Sequence, residues 1–429
     1  MLAKLLYLTL IINFIVSASA YASESLRVAV VENQATVELY CEDPFYATDR
    51  NGRRVLVPSG KYFLCVKDGN IAFDDSNTFP GTVVVARLAD KSIPQVNRRT
   101  YKGKITFVQR EGKIFAVNNI DIDTYLACVI PAKTMVVWPE EAIKAQIVAA
   151  RSYALYMKRL NKDFLYDIRA NDPELEYLGT DKKREKALIT ELIEATSGQH
   201  LTTSDGYPLK ALTSSSSGGK TESHLDATGK EYSYLKSVED YDSDSPEYEW
   251  ERAIAPAFIE NVLAQRGLTL GKLVGVYLSP LDAAEHDRTQ TGRVRYLVLV
   301  GEMGSAKIAG EEFRQILNLN STLFDIKTGV QVPESLRVPI ENRYGMEIGS
   351  KQIDIKVKDA ETPVWKNVLR SYHMVSDNKN EKIIFTGRGK GTGIGLSAWG
   401  ARGLANLDEK ITYRDILAHY YPGSVFAEG

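Results

Sequence analysis

The sequence has few of the residues that form disulfides and metal sites. Its 429 residues include three cysteines and five histidines, and no histidines stand at ligand spacing from the cysteines. Zinc needs such groups close together, so we predict no metal and no other cofactor. Cys41 and Cys65 lie in the same N-terminal region, and the sequence leaves open whether they pair. Cys128 is interpreted as a small buried hydrophobe.

An excess of charge of one sign is also missing. The 53 basic and 55 acidic residues give a formal net charge of −2, without a basic arm or an acidic tail. This balance gives no reason to expect a nucleic-acid partner. A hydrophobic content of 44% and a charged content of 25% are typical of a soluble globular protein. A chain of this length is expected to form two or more domains.

Long apolar runs are rare, and the one that stands out lies near the N terminus. Lys4 precedes the apolar run 5–16, and Ala20 and Ala22 offer small-residue cleavage sites. This pattern predicts a secretory signal peptide over residues 1–22. The alternative, a retained anchor, needs about 20 apolar residues, and no later run is long enough to cross a bilayer. We therefore predict an exported protein, in the periplasm, the cell wall or outside the cell, with no stable membrane span.

The remaining chain alternates between two kinds of pattern. Residues 23–113 show short runs of alternating hydrophobicity with turn signals between them, which predicts a β-rich N-terminal domain. Residues 114–426 mix strand and helix patterns, so the fold class is α+β. Residues 338–368 contain no motif that we recognise, and we expect an insertion there. The acids between Asp240 and Trp250 are interpreted as a solvated loop.

The clearest helix signal begins at Pro139, which suits a first helical position. Ala142, Ala145 and Ala149 then recur at helical spacing. Alanines on one face let a neighbouring backbone approach closely, so this pattern predicts a buried helix.

The stretch around this helix resembles the signature of the SpoIID/LytB family, which includes stage II sporulation protein D and amidase enhancers of bacterial cell walls. Trp138 and Pro139 are followed in register by Lys144–Gln146 and Ala149–Arg151. The family's catalytic glutamate lies five residues before the Trp, where this chain has Lys133. The resemblance implies a lytic transglycosylase, in which a carboxylic acid protonates the glycosidic oxygen. A lysine, with a reference pKa of about 10.4, holds its proton too tightly for that part.

Two further segments resemble family motifs. The first contains Ser214, Ser215, Ser217, Gly218 and Gly219, and the second contains Gly391, Thr392, Gly393, Gly395, Ser397 and Trp399. Ser214 and Thr392 stand where the family has histidines. Glycine at every second place predicts a strand with one bare face, which a glycan or a neighbouring strand can approach closely. The resemblance implies that both segments and Lys133 line one groove for peptidoglycan glycan strands.

Two functions follow from this pattern. The first is an exported SpoIID/LytB-like protein that binds peptidoglycan or enhances a cell-wall amidase, with a degenerate catalytic site. The alternative is an active lytic transglycosylase with a rearranged site. In either case the expected partner is the glycan strand, with a wall amidase as a further partner and no nucleic acid.

Overall fold

The computed structural model describes residues 24–74, 77–87, 93–130, 137–180, 187–281, 285–328, 335–341, 347–354, 371–375 and 381–428. The predicted signal peptide and Lys133 lie outside these ranges, as does most of the predicted insertion. The chain forms two compact units. Unit 1 contains Met1–Thr213 and Leu404–Gly429, and unit 2 contains Ser214–Gly403.

Strands dominate the first half of unit 1. They are β1 (Ser25–Gln34), β2 (Thr36–Cys41), β3 (Phe45–Asp49), β4 (Arg54–Val57), β5 (Gly60–Lys67), β6 (Asn70–Phe73), β7 (Asn77–Pro80), β8 (Thr82–Arg87), β9 (Gln95–Val96), β10 (Arg99–Thr100), β11 (Lys104–Arg110), β12 (Lys113–Asp121), β13 (Ile168–Arg169) and β14 (Gln199–Thr202). Among the described strands, one sheet has the order β13-β1-β12-β11-β8-β3-β4 and another the order β10-β9-β2-β5-β6-β7. Alternate residues such as Ile105 and Phe107 of β11 are fully buried, because successive side chains of a strand point to opposite faces.

Strands continue along the rest of the chain. They are β15 (Thr213–Ser214), β16 (Glu249–Ile254), β17 (Leu273–Tyr277), β18 (Tyr296–Gly301), β19 (Gly304–Ala309), β20 (Phe324–Lys327), β21 (Ser335–Glu341), β22 (Glu347–Asp354), β23 (Tyr372–Met374), β24 (Ile383–Arg388), β25 (Leu396–Ser397) and β26 (Val425–Glu428). Within unit 2, the described strands form the sheets β19-β18-β17-β23 and β16-β24-β20 and the hairpin β21-β22. Phe313, Phe324 and Phe385 meet in the core of this unit.

The described helices are α1 (Ile122–Val129), α2 (Glu140–Leu160), α3 (Ala187–Ala195), α4 (His224–Thr228), α5 (Pro256–Ala264), α6 (Gly310–Leu317), α7 (Ala398–Leu407) and α8 (Tyr413–Tyr420). Together with the strands they make an α+β protein rich in strand, as the sequence predicts. Within the described ranges, no helix combines the length and the apolar character that crossing a bilayer requires.

The predicted domain limits stay a prediction. The proposed border between residues 113 and 114 falls at the start of β12, which pairs with β11 and with β1. The described parts of the expected insertion belong to β21 and β22, which pair as an antiparallel hairpin.

Helix α2 is the buried element that the alanine pattern predicts. Ala142, Ala145 and Ala149 are fully buried, and acids in the first turn and bases in the last turn complement the helix dipole. Arg27 of β1 binds the segment that follows the C-terminal end of α2. Its guanidinium donates to the carbonyls of Asn161 at 3.0 Å and Phe164 at 2.7 Å. The helix is thus attached to the large sheet of unit 1.

The cysteines are separated by the register of β2 and β5. Thr36 lies opposite Cys65, while Cys41 lies opposite Gly60, five residues further along β2. Five residues of strand span about 17 Å, whereas a disulfide needs Cα atoms within about 7 Å. No disulfide joins the three cysteines, which all belong to the described residues, and burial raises the pKa of Cys41 to about 12. Cys128 is partly rather than fully buried, with Sγ 3.8 Å from Thr180 Oγ1.

We expect Ile147→Ala to destabilise unit 1 by about 2–5 kcal/mol, because Ile147 is fully buried in α2 and truncation leaves a cavity. Val137→Ala is the control, since Val137 is 89% exposed and its truncation should change stability by less than about 0.5 kcal/mol. Urea unfolding followed by circular dichroism measures both. Equal midpoints for the two variants would contradict the assigned packing of α2.

Candidate functional site

The signature residues of α2 hold unit 1 together. Arg151 is almost fully buried and pairs with Asp123 of α1, its Nη2 lying 2.8 Å from Oδ1. Its Nη1 donates to the carbonyls of Thr196 at 2.7 Å and Gln199 at 3.0 Å. Burial lowers the pKa of Arg151, and Asp123 opposes that shift. This arginine therefore joins α1, α2 and the segment before β14, which is a structural role.

Lys133, at the family's glutamate position, belongs to residues 131–136 and lies outside the described residues. The acids that follow it in sequence have other contacts or face solvent. Glu141 accepts a hydrogen bond from Tyr413 N at 2.6 Å and pairs with Lys144 Nζ at 2.7 Å. The Glu140 side chain is largely exposed at the start of α2.

In unit 2 the two other predicted segments lie side by side. We call residues 214–219 the Ser/Gly turn and residues 387–395 the glycine segment. Lys390 N donates to Ser216 O at 2.8 Å, and the amide of Ser215 donates to Lys390 O at 3.1 Å. Trp399 N donates to Ser215 O at 3.0 Å, which adds the start of α7. The structure thus brings together the residues of unit 2 that the sequence singled out.

The predicted strand with one bare glycine face is wrong for most of the glycine segment. Only Gly387 lies in β24; Gly389, Gly391, Gly393 and Gly395 all have positive φ, from 72° to 104°. Non-glycine residues adopt these angles rarely, so the glycines are required by conformation. The close approach is to this chain's own residues, because a Cβ on Gly389 would meet Ser216 O at 2.6 Å.

Two acids, of which Asp242 is fully buried and Asp240 partly exposed, accept hydrogen bonds from the Ser/Gly turn. Asp242 accepts hydrogen bonds from Ser216 Oγ at 2.5 Å, Gly218 N at 2.8 Å and Gly219 N at 2.9 Å. Asp240 accepts from Ser217 Oγ at 2.5 Å. The interpretation of this acidic stretch as a solvated loop is wrong for Asp242, which is fully buried. A buried carboxylate needs several donors, and the turn supplies them.

A buried arginine lies between the turn and the glycine segment. Arg293 Nη2 donates to Ser217 O at 2.6 Å, and its Nε is 4.0 Å from Glu222 Oε2. Burial lowers the pKa of Arg293 to about 10, and Glu222 and Asp242 partly offset that shift. A Cβ on Gly393 would lie 2.1 Å from Nη2, so the glycine is needed for this packing. Glu222 in turn accepts from Thr289 Oγ1 at 2.6 Å.

The predicted site residues divide into a buried and a solvent-facing group. Ser214, Ser217, Gly218, Gly393, Gly395 and Ser397 are buried, whereas Ser215, Gly219, Gly391, Thr392 and Trp399 are partly exposed. Only the second group is accessible to a ligand, and its role in binding stays a prediction. At the family's histidine positions, Ser214 Oγ has no hydrogen-bond partner among the described residues, and Thr392 Oγ1 accepts from Ile394 N at 3.3 Å.

Sequence reasoning missed a pair of acids in unit 1. Glu174 Oε2 accepts from Thr213 N at 2.8 Å and Thr213 Oγ1 at 3.2 Å. Burial raises the pKa of Glu174 from 4.5 to about 7. Asp172, which accepts from Tyr153 OH at 3.2 Å, also has a pKa raised by burial. The only signal in the sequence is the spacing of the two acids before Tyr177, and that spacing is common on a solvated loop.

Comparison with known proteins supports the family resemblance of the sequence motifs. A family model described as stage II sporulation protein matches residues 110–203. These residues run from the end of β11 through β14 and include the whole of α2. The chain is 25% identical to an uncharacterised protein of Brachyspira hyodysenteriae over 330 residues, 76% of this chain and 72% of that protein.

Two named relatives come from Bacillus subtilis. The amidase enhancer is 25% identical over 403 residues, 91% of this chain and 52% of that protein, so the chain spans about half of its length. Stage II sporulation protein D is 23% identical over 330 residues, 73% of this chain and 76% of that protein. The family model and these relatives support the resemblance of the chain to the SpoIID/LytB family that its sequence motifs indicate.

Gly393→Ala should destabilise unit 2 by about 1.5–3 kcal/mol more than Gly229→Ala, because its Cβ displaces the buried charged hydrogen bond of Arg293. Both glycines have a φ of 75°, so both variants carry the same backbone strain, but a Cβ on Gly229 meets nothing within 4 Å. Thermal melts compare the two. Equal losses would show that Arg293 moves away without cost.

The raised pKa of Glu174 predicts a stability that depends on pH. Because the folded state holds the proton more tightly, the group's contribution is full below pH 4.5 and is lost as the pH rises to about 7. Glu174→Gln cannot ionise, so we expect its melting temperature to rise relative to wild type across this window. The exposed Glu176→Gln is the control and should follow wild type. A constant offset for Glu174→Gln would contradict the raised pKa.

Proposed function

We propose that the protein is exported, binds peptidoglycan glycan strands and enhances a cell-wall amidase without cutting the glycan itself. The proposal rests on the hydrogen bonds and the residue types of the predicted site. The backbones of the Ser/Gly turn and the glycine segment are hydrogen-bonded to each other in unit 2. Ser214 and Thr392, at the family's histidine positions, carry no group that exchanges a proton near neutral pH.

The accessible side of this site supports binding. Ser215, Thr392 and Trp399 are all partly exposed, and they belong to segments that are hydrogen-bonded to each other. The Arg402 guanidinium lies 5.1 Å from the centroid of the Trp399 ring. An aromatic ring with hydroxyl groups nearby suits a sugar, because the ring contacts the apolar face while the hydroxyls bind the polar edge. The resemblance of the chain to the amidase enhancer supports the amidase as the further partner.

The loss of the general acid supports the lack of cleavage. The family's glutamate position is Lys133 in this sequence. Proton transfer by a positioned group typically contributes about 10²–10⁴ to the rate, so the absence of a carboxylic acid at this position removes a large part of catalysis.

A second function, a lytic transglycosylase with a rearranged site, is favoured by one observation. Glu174 has a pKa of about 7, close to the value of an efficient general acid at neutral pH. It bonds to Thr213, the residue directly before Ser214 in the sequence. Under this alternative, Glu174 takes the proton-transfer role that Lys133 cannot take.

We expect the mature protein to pellet with purified peptidoglycan and to release no anhydro-sugar products in mass spectrometry. Lys133→Glu alone should give little cleavage, and the triple variant with Ser214→His and Thr392→His should give more. Trp399→Ala should weaken pelleting about tenfold through the lost ring contact, whereas Trp399→Phe should keep most of it.

The same assays separate the two functions. Cleavage by the unmodified protein that disappears in Glu174→Gln, but not in the exposed Glu176→Gln, would establish the second function and overturn the first. Stimulation of a purified wall amidase by wild type tests the partner directly. Absence of both pelleting and stimulation would overturn the proposed function as a whole.

A further inference from the structure

Unit 1 contains a cavity of about 1010 Å³ beside the last turns of α2, which we call the α2 cavity. Its lining comes from those turns, from the start of α1 and from the turn that ends at Pro208. Sites for small molecules are commonly about 300–1,000 Å³, so the cavity is at the upper end of that range. It is large enough for a ligand of more than one ring.

Part of its charge is already compensated within the protein. The ion pair of Arg151 and Asp123 lies at the cavity, and Ser197 Oγ donates to Asp123 Oδ2 at 3.1 Å. Arg151 is almost fully buried and bonded to backbone carbonyls as well. These groups therefore shape the cavity and are not available to a ligand.

The remaining charge is positive. Lys158, Arg159 and Lys162 also line the cavity, whereas Glu24 is the other acid among its lining residues. Lys158 Nζ is 3.3 Å from Glu24 Oε2, but the two side chains are 34% and 58% exposed. Such an exposed pair contributes little and is readily exchanged for another anion. The lining residues thus carry an excess of two positive charges, which attracts an anionic ligand.

An aromatic ring is fixed next to these cations. Tyr207 is 49% exposed, and the Arg159 guanidinium lies 3.7 Å from its ring centroid. The ring belongs to a tight turn in which Thr203 N donates to Tyr207 O at 2.8 Å and Gly206 N donates to Thr203 O at 3.0 Å. Leu160, exposed to a similar extent, adds an apolar side chain to the lining. An ordered ring beside cations and an apolar group offers two kinds of contact to one ligand.

We propose that the α2 cavity binds a carboxylate-bearing saccharide, with Lys158 and Lys162 binding the carboxylate and Tyr207 contacting a face of a sugar ring. Lysine ammonium groups form charge-assisted hydrogen bonds with carboxylates, and an aromatic ring buries the apolar face of a sugar. The choice of a saccharide rests on the proposed function, whereas the preference for an anion rests on the cavity's own charges.

The α2 cavity is separate from the N-terminal end of α2. From Glu140 to Lys158 the helix rises about 27 Å, at about 1.5 Å per residue. A ligand in the α2 cavity therefore does not occupy the region where α2 begins, which follows Lys133 in the sequence. The cavity would be a second attachment point for the wall polymer.

Isothermal titration calorimetry on the mature protein tests the proposal with three probes. N-acetylmuramic acid carries its carboxylate on the sugar, muramyl dipeptide carries it on the peptide, and N-acetylglucosamine has none. We expect at least one of the two anions to bind more tightly than the neutral sugar, and the tighter one identifies the source of the carboxylate. Equal binding of all three probes, or binding of none, would overturn the proposal.

Variants assign the binding to the cavity. Lys158→Gln combined with Lys162→Gln should weaken binding of the anion at least about tenfold through the lost charged hydrogen bonds. The exposed Lys410→Gln, outside the cavity, is the matched control and should bind as wild type does. Tyr207→Ala should weaken binding and Tyr207→Phe should retain it. An unchanged affinity in the double lysine variant would overturn the proposal, as would binding to vesicles of phosphatidylglycerol without binding to either anionic saccharide.

Pelleting with peptidoglycan keeps this inference distinct from the proposed function. If wild type pellets with peptidoglycan but the small anions do not bind, the proposed function stands and the cavity proposal fails. If the anions bind in the cavity while wild type does not pellet, the cavity proposal stands and the proposed function fails.

Discussion

The candidate site of unit 2 depends on a buried carboxylate whose charge solvent cannot stabilise. Asp242 is fully buried, and its oxygens accept from one hydroxyl and two backbone amides of the Ser/Gly turn. Any other conformation of the turn would leave that charge without donors, which is costly in a low-dielectric interior. Arg293 acts from the other side, because its bond to Ser217 O requires the bare backbone at Gly393. The polar groups of this motif therefore mainly stabilise its own conformation.

Because these polar groups bond within the protein, the motif cannot be interpreted as a set of ligand contacts throughout. Serines and glycines in such a motif suggest direct contact with substrate, yet here the buried members hold the backbone and only the partly exposed ones face solvent. Under the proposed function, substitutions at the buried positions reduce binding by altering the fold, whereas those at Ser215, Thr392 or Trp399 act on the contact with the ligand. Activity assays without a stability measurement would not separate these two effects.

The parts of the structure that local pattern decides could be predicted. Helix α2 follows from the alanine spacing and from Pro139, and the strands of unit 1 follow from alternation, because both signals are repeated over many residues. The burial of Asp242 could not be predicted, since its donors lie more than twenty positions away in the sequence. The alternating glycines were assigned to a strand because a period of two is the period of a strand, whereas glycine is equally the residue that adopts positive φ. The separation of Cys41 from Cys65 depends on strand register, which a single sequence does not determine.

Unit 1 is discontinuous in sequence, which affects how the chain can mature. Its β14 pairs with β26, near the end of the chain, and Glu141 at the start of α2 accepts from Tyr413 N of α8. In the sequence, the whole of Ser214–Gly403 lies between these partners. A chain that is synthesised from its N terminus must therefore keep the first half of unit 1 soluble and incomplete until the last strand, β26, has been made. Unit 2, being continuous, can finish folding before that, so the order of maturation runs opposite to the order of emergence.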